Sequence, residues 1–172
     1  MIRKFIIGLF SLSILLNLNA QKTLKIGHID SQALLMSMPE MDSVQQKLKK
    51  LAQEYDSTLE ELQVELNKKF EKYQKEYSTM TDLLKATREA ELNELNERLQ
   101  NFKIQAEKDL ANKQIELLRP IQEKAKKAIE EVAKENGFTY IFDMSPNVGA
   151  IIYAAPETEN ILPLVKKKLG LK

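Results

Sequence analysis

Few residues in this chain could do chemistry. His28 is the single histidine, there is no cysteine, and no Gly-x-Ser-x-Gly segment occurs. A metal ion needs several convergent donors, and His28 with Asp30 nearby on a short apolar segment offers too few, so a structural role is expected for His28. The five glycines are scattered and form no phosphate-cradling loop. The 25 acidic side chains are interleaved with 26 basic ones at helical spacing, as on solvated helix faces rather than in acid–base pairs. The expectation is a non-enzymatic protein with no catalytic, metal-binding or cofactor-binding residues and no cofactor, acting through its surfaces.

The most suggestive group is Phe70, Tyr73, Tyr77, Met80, Leu83 and Leu84. Phe70 and Tyr73 suit packing inside a helical seam. Tyr77, Met80, Leu83 and Leu84 fall where that seam runs out of partners. Tyr and Met are amphipathic or adaptable, which suits contact with a variable partner. All six are candidates for contact with such a partner. Lys85 and Arg88 follow, flanked by Glu89 and Glu91, and read as an ordinary solvated face rather than a phosphate clamp.

The elements that position this group are long helices. From Glu40 to Arg119 there is neither Gly nor Pro. Apolar or aromatic residues recur from Met41 through Val44, Leu48, Leu51, Tyr55, Leu59, Leu62, Leu66, Phe70, Tyr73 and Tyr77 to Met80. That is 39 residues in 11 steps, about 3.5 per step, the spacing of a coiled-coil seam. A second series runs from Leu92 to Val132, interrupted at Gln114, with Pro120 expected to loosen the helix. A single rod over residues 40–134 would span about 140 Å and strand the β segments at opposite ends. Ser78-Thr79-Met80-Thr81-Asp82 are weak helix formers or good caps. An antiparallel helical hairpin is therefore expected over residues 40–134, with its tip near 78–83.

The remaining residues, 21–39 and 135–172, are expected to form a small α/β oligomerisation body. Leu24–Asp30 reads as a strand, followed by a short helix capped by Asp30 or Ser31. Asn136-Gly137 is a helix stop. Phe138–Asp143 and Val148–Tyr153 read as two strands of a hairpin around Ser145-Pro146-Asn147, and a last helix follows Asn160. The fold class is α+β, mostly α, with three short strands. So small a body cannot hide all its apolar residues. Ile26, Ile141, Phe142, Ile151, Ile152 and Tyr153 are expected to meet neighbouring copies in a homo-oligomer.

Arg3 and Lys4 followed by the apolar run Phe5–Leu16, then Leu18-Asn19-Ala20, read as a cleavable secretory signal over residues 1–20. Export to the periplasm is the expectation. Removing Arg3 and Lys4 leaves 24 basic against 25 acidic residues, a formal charge of −1. A near-neutral chain has no long-range attraction for nucleic acid or an anionic membrane.

This order of parts resembles the OmpH/Skp family of periplasmic chaperones, over the whole mature chain. The likeness rests on the strand Leu24-Lys-Ile-Gly-His-Ile-Asp30, the helix around Ala33-Leu34-Leu35 and the helical hairpin. Behind these come the segments Asn136-Gly137-Phe138-Thr-Tyr-Ile-Phe-Asp143 and Gly149-Ala-Ile-Ile-Tyr153 and the closing helix. The resemblance implies a jellyfish-like trimer, with the body as platform and the arms enclosing a cavity. It also implies ATP-independent holding of unfolded outer-membrane β-barrel proteins. Enteric relatives are strongly basic and this chain is not, so a lipopolysaccharide site does not carry over. A non-catalytic coiled-coil spacer or accessory subunit of the cell envelope is the alternative.

Overall fold

The structure is a computed structural model, described over residues 24–146, 148, 151 and 153–171. The expected signal, residues 1–20, lies outside the described residues, as do Ala150 and Ile152 of the expected last strand. In chain order the elements are β1 (Ile26–Ile29), α1 (Ser31–Met36), α2 (Glu40–Glu76), a 3₁₀ turn (Tyr77–Thr79) and α3 (Asp82–Glu135). They are followed by β2 (Tyr140–Asp143), β3 (Glu159–Asn160) and α4 (Leu162–Lys168). The architecture is α+β and mostly α, as the sequence pattern implies. The described residues divide into a helical unit, 34–126, and a mixed unit formed by those of 24–33 and 127–171.

In the mixed unit the sheet order is β2-β1-β3, and both pairings are parallel. Ile26 pairs with Tyr140 and His28 with both Phe142 and Asn160. The expected hairpin is therefore corrected. Val148 lies in a turn, closed by its N–H on the Ser145 carbonyl (3.0 Å), and neither Ile151 nor Tyr153 is in a strand. The third strand comes later, at Glu159–Asn160.

The cause is at the end of β2. Asp143 accepts the backbone N–H of Ser145 (2.9 Å) and of Ser31 (3.2 Å), and both serine hydroxyls donate to its carboxylate. Ser145 Oγ, 4 % exposed as a residue, also accepts the Gln32 N–H at 3.1 Å. The chain is thus drawn towards the β1–α1 junction immediately after β2, and cannot fold straight back along it. Burial pushes the Asp143 carboxyl up, but the hydrogen bonds from Ser145 and Ser31 outweigh it and hold it below its ordinary range.

Gly27, at the centre of the sheet, has no room for a side chain. A Cβ there would lie 2.8 Å from the Phe138 ring, 3.0 Å from Ile141 Cδ1 and 3.1 Å from the Glu159 carbonyl oxygen. Ile29, Ala128, Val132, Ile161 and Val165 are the unit's buried apolar residues. The two pairs spaced by four present one face of α3 and of α4. α3 stops as Asn136-Gly137 implies. Gly137 takes φ 70°, its N–H bonds the Lys134 carbonyl at 3.3 Å, and Phe138 N–H bonds that of Ala133 at 2.9 Å, a Schellman closure. The expected caps are also present: Asp30 accepts the Ala33 N–H and Asn160 the Leu162 N–H, both at 2.9 Å.

Two outcomes follow for unfolding in urea. Gly27→Ala forces a ring and a strand apart and should cost about 1–3 kcal/mol; an unchanged midpoint would contradict the crowding at this position. Asp143→Asn loses a charged acceptor and should cost roughly 1–3 kcal/mol at neutral pH. Because the folded carboxyl titrates below its ordinary 3.8, its contribution is complete above that value and disappears as pH falls through the folded value. The gap between wild type and variant should therefore be flat near pH 7 and close below about pH 4.

Candidate functional site

The helical unit is an antiparallel pair whose contacts step regularly from its open end to its turn. Lys124 pairs with Glu40. Tyr55 donates to Asp109 (2.5 Å) and packs edge-on against Phe102, with centroids 6.0 Å apart. Nearer the turn, Tyr73 donates to Glu89 at 2.5 Å. Val44, Leu62, Met80, Leu99, Ala106 and Ile121 are buried, so the seam read from spacing is the packed face over most of its length, but Phe70 and Tyr77, read as members of it, are each 47 % exposed, a correction to the expectation that Phe70 packs inside.

The turn itself is built by local polar chemistry. Thr79 Oγ1 donates to the Glu76 carbonyl, Met80 is extended (φ −78°, ψ 143°), and the Thr81 carbonyl accepts the Lys85 N–H at 2.9 Å. Thr81 Oγ1 also accepts the Leu84 N–H at 3.4 Å. The helices break within the stretch that the capping residues mark.

Of the six candidate contact residues, the fold brings four to the surface, half-buries one and places one inside. Leu83 is 80 % exposed, and Phe70, Tyr77 and Leu84 are exposed as well. Tyr73 is half-buried, held by Glu89 and by an edge-on contact with Tyr77 at 5.3 Å. Met80 is 8 % exposed, a correction to the expectation that it lacks partners at the end of the seam. Its backbone is extended there, and its side chain lines the groove beside Tyr73 together with Leu92.

Two shallow grooves flank Tyr73. One is lined by Leu66, Phe70, Leu92 and the amides Asn67, Asn93 and Asn96. The other mixes Met80 and Leu92 with Lys69, Lys72, Arg88 and Glu91. The asparagines were not singled out from sequence, since only their position beside Phe70 distinguishes them from other polar helix residues. The two cations near the turn are occupied locally. Arg88 forms a two-pronged bond to Glu91 (3.0 and 2.8 Å), which lowers the Glu91 carboxyl, and Lys85 lies near Asp82 and 4.6 Å from the Tyr77 ring centroid.

The residues expected between copies are distributed differently. Ile26, Phe142 and Tyr153 are exposed, Ile141 and Ile151 are half-buried, and Ile152 lies outside the described residues. Tyr140, not singled out from sequence, stacks on Phe142 at 6.3 Å and extends this apolar face. His28 sits in β1 opposite Phe142, with its Nδ1 buried and unpaired in the chain. Among the described residues no group of three or more His, Asp or Glu stands close enough to hold a metal ion.

The Tyr73–Glu89 bond gives a direct test of this geometry. The hydrogen bond to Glu89, followed by desolvation, raises the Tyr73 phenol from 10.0 to about 12. A raised value means that the bond's contribution is complete below pH 10 and is lost as pH rises through about 12. Alkaline titration followed by tyrosinate absorbance should show this phenol ionising late, and Glu89→Gln should bring it back towards 10. The same curve for both proteins would mean that the bond does not form in solution.

Against known proteins, a sequence profile described as "Outer membrane protein (OmpH-like)" matches residues 25–169. No curated protein matches the chain. Among solved structures, a candidate OmpH-like outer membrane chaperone from Caulobacter crescentus shares the fold with a TM-score of 0.70. The two are 15 % identical, over 87 % of this chain and 86 % of that one. With the profile spanning both units, from β1 to the end of α4, the chain belongs to the OmpH-like outer membrane protein family.

Proposed function

We propose that this protein is a periplasmic holding chaperone that binds unfolded outer-membrane β-barrel proteins without ATP and prevents their aggregation. Family membership and the fold shared with a candidate chaperone support a chaperone role. The observation that carries the reading is Leu83, 80 % exposed beside Tyr77 and Leu84 at the turn of the helical pair. Apolar side chains are held in water there by a turn closed through Thr79 and Thr81. That is a surface kept available for something else.

A β-barrel chain in transit exposes apolar strands and unpaired edges, both prone to aggregate. Small apolar patches bind such a chain modestly at each point and without demanding one conformation. Multiplying them over several copies gives useful avidity while leaving each contact reversible. The reading therefore includes a homo-oligomer, three copies by likeness to the family. Its platform is the sheet face bearing Ile26, Tyr140 and Phe142, and the helical pairs are its arms. Client release follows from weak contacts and the client's own folding, so no catalytic step is needed.

The test uses the mature protein and a urea-unfolded outer-membrane β-barrel protein diluted together. Light scattering should give a discrete soluble complex of the oligomer with one client, with no added nucleotide. Changing Tyr77, Leu83 and Leu84 together to Ser should weaken holding about tenfold and leave the oligomer mass unchanged. A wild-type protein that leaves the client to precipitate would remove the chaperone reading and put the envelope spacer in its place.

A further inference from the structure

His28 is the chain's single histidine and stands in the central strand of the sheet. Parallel pairing sets it opposite Phe142 on one side and Asn160 on the other, and sets Ile26 opposite Tyr140. Side chains alternate along a strand, so His28 shares its face with Ile26, Tyr140 and Phe142, while Ile29 points to the buried side. Those three neighbours are exposed, and Tyr140 stacks on Phe142. The imidazole therefore lies in the middle of an apolar patch. Its Nδ1 is already cut off from water and has no hydrogen-bond partner in the chain.

Protonation changes what that position costs. A neutral ring can leave Nδ1 unprotonated, with one bond unmade. A protonated ring carries N–H on both nitrogens, so Nδ1 becomes a charged donor with nothing to donate to. Burying an unpaired charge costs far more than burying a neutral polar atom. The ionisable groups of the three strands and their ends are Lys25, Asp30, Tyr140, Asp143 and Glu159. Lys25 and Glu159 pair with each other at 3.0 Å, and Asp143 is held by Ser31 and Ser145. Alternation puts these three on the face opposite to His28. Asp30 and Tyr140 share its face, but Asp30 is turned to the start of α1, where it accepts the Ala33 N–H at 2.9 Å.

We infer that His28 makes the contact of this face with a second copy sensitive to acid: a neutral ring is accommodated there, and a protonated ring opens it. The inference rests on the homo-oligomer proposed above, with this face as its platform. In a single chain His28 is half-buried, so the rest of the ring still borders solvent. A second copy on the patch removes that solvent, and the proton must leave before the copies close. Imidazole is the one side chain whose ordinary titration falls between about pH 5 and 8, and this chain holds one. The contact is therefore strongest above that range and is lost as pH falls through it. An ordinary imidazole is about nine-tenths protonated at pH 5.5, so each copy's hold weakens about tenfold there.

The experiment follows the mass of the full mature protein by analytical ultracentrifugation, over a dilution series at pH 7.5 and at pH 5.5. Circular dichroism records helicity under the same conditions. The wild type is expected to assemble at pH 7.5. Its dissociation midpoint should rise at least about tenfold at pH 5.5, with helicity unchanged. His28→Leu and His28→Gln carry no charge at either pH and should keep the same midpoint at both. Leu suits the apolar patch and Gln keeps a polar head, so a folding defect in one leaves the other to decide.

A wild type assembled equally at both pH values would overturn the switch alone and leave the homo-oligomer standing. A wild type that is monomeric throughout would remove the homo-oligomer, and the switch with it. Variants that dissociate at pH 5.5 as the wild type does would place the sensitivity on other groups. A fall in helicity along with mass would mean that acid unfolds the chain rather than opening the contact. Either of these last two results overturns the inference.

Discussion

Two helices packed against each other can bury only one stripe each, and much else in the helical unit follows from that geometry. The seam residues recur at about 3.5-residue spacing because that period keeps them facing one partner. Val44, Leu62, Leu99, Ala106 and Ile121 satisfy it and disappear from solvent. Everything off the stripe stays in water, whether polar or not. An ordinary globular core would cover Leu83, Ile104 and Ile115, and a two-helix unit has nothing to cover them with.

The same thinness explains the polar clamps. A narrow seam excludes little water, so its own burial gives modest local stability. Tyr55–Asp109, Tyr73–Glu89 and Glu40–Lys124 join the helices at intervals along it. Each tyrosine covers apolar surface with its ring and reaches a carboxylate with its hydroxyl. Charge-bearing acceptors make these bonds directional, which sets the register of one helix against the other. At the turn, hydroxyls of Thr79 and Thr81 take the backbone groups that the interrupted helices leave unpaired.

In the mixed unit the corresponding constraint is the parallel sheet. Parallel strands are normally covered on both faces. Here Ile29 faces a buried side while Ile26, Tyr140 and Phe142 stay exposed on the other. The crowded Gly27 and the Asp143 hydrogen bonds set the backbone on which that face is built.

Much of this was legible from residue order. Helical periodicity, the absence of Gly and Pro from Glu40 to Arg119, and the run Ser78–Asp82 sufficed for two antiparallel helices and their turn. Asn136-Gly137, Asp30 and Asn160 marked termini correctly because capping is a local interaction between neighbours in the chain. What the order of residues did not decide was strand pairing and side-chain fate at places where distant segments meet. A strand-like run at Val148–Tyr153 looked like half of a hairpin, but pairing depends on which backbone edge is free. That was settled by Ser31 and Asp143, 112 residues apart. Met80 and Leu83 have similar apolar character and near-adjacent positions, yet one is buried and the other is 80 % exposed. Only the direction of the backbone at the turn, set by the packed helices on either side, separates them.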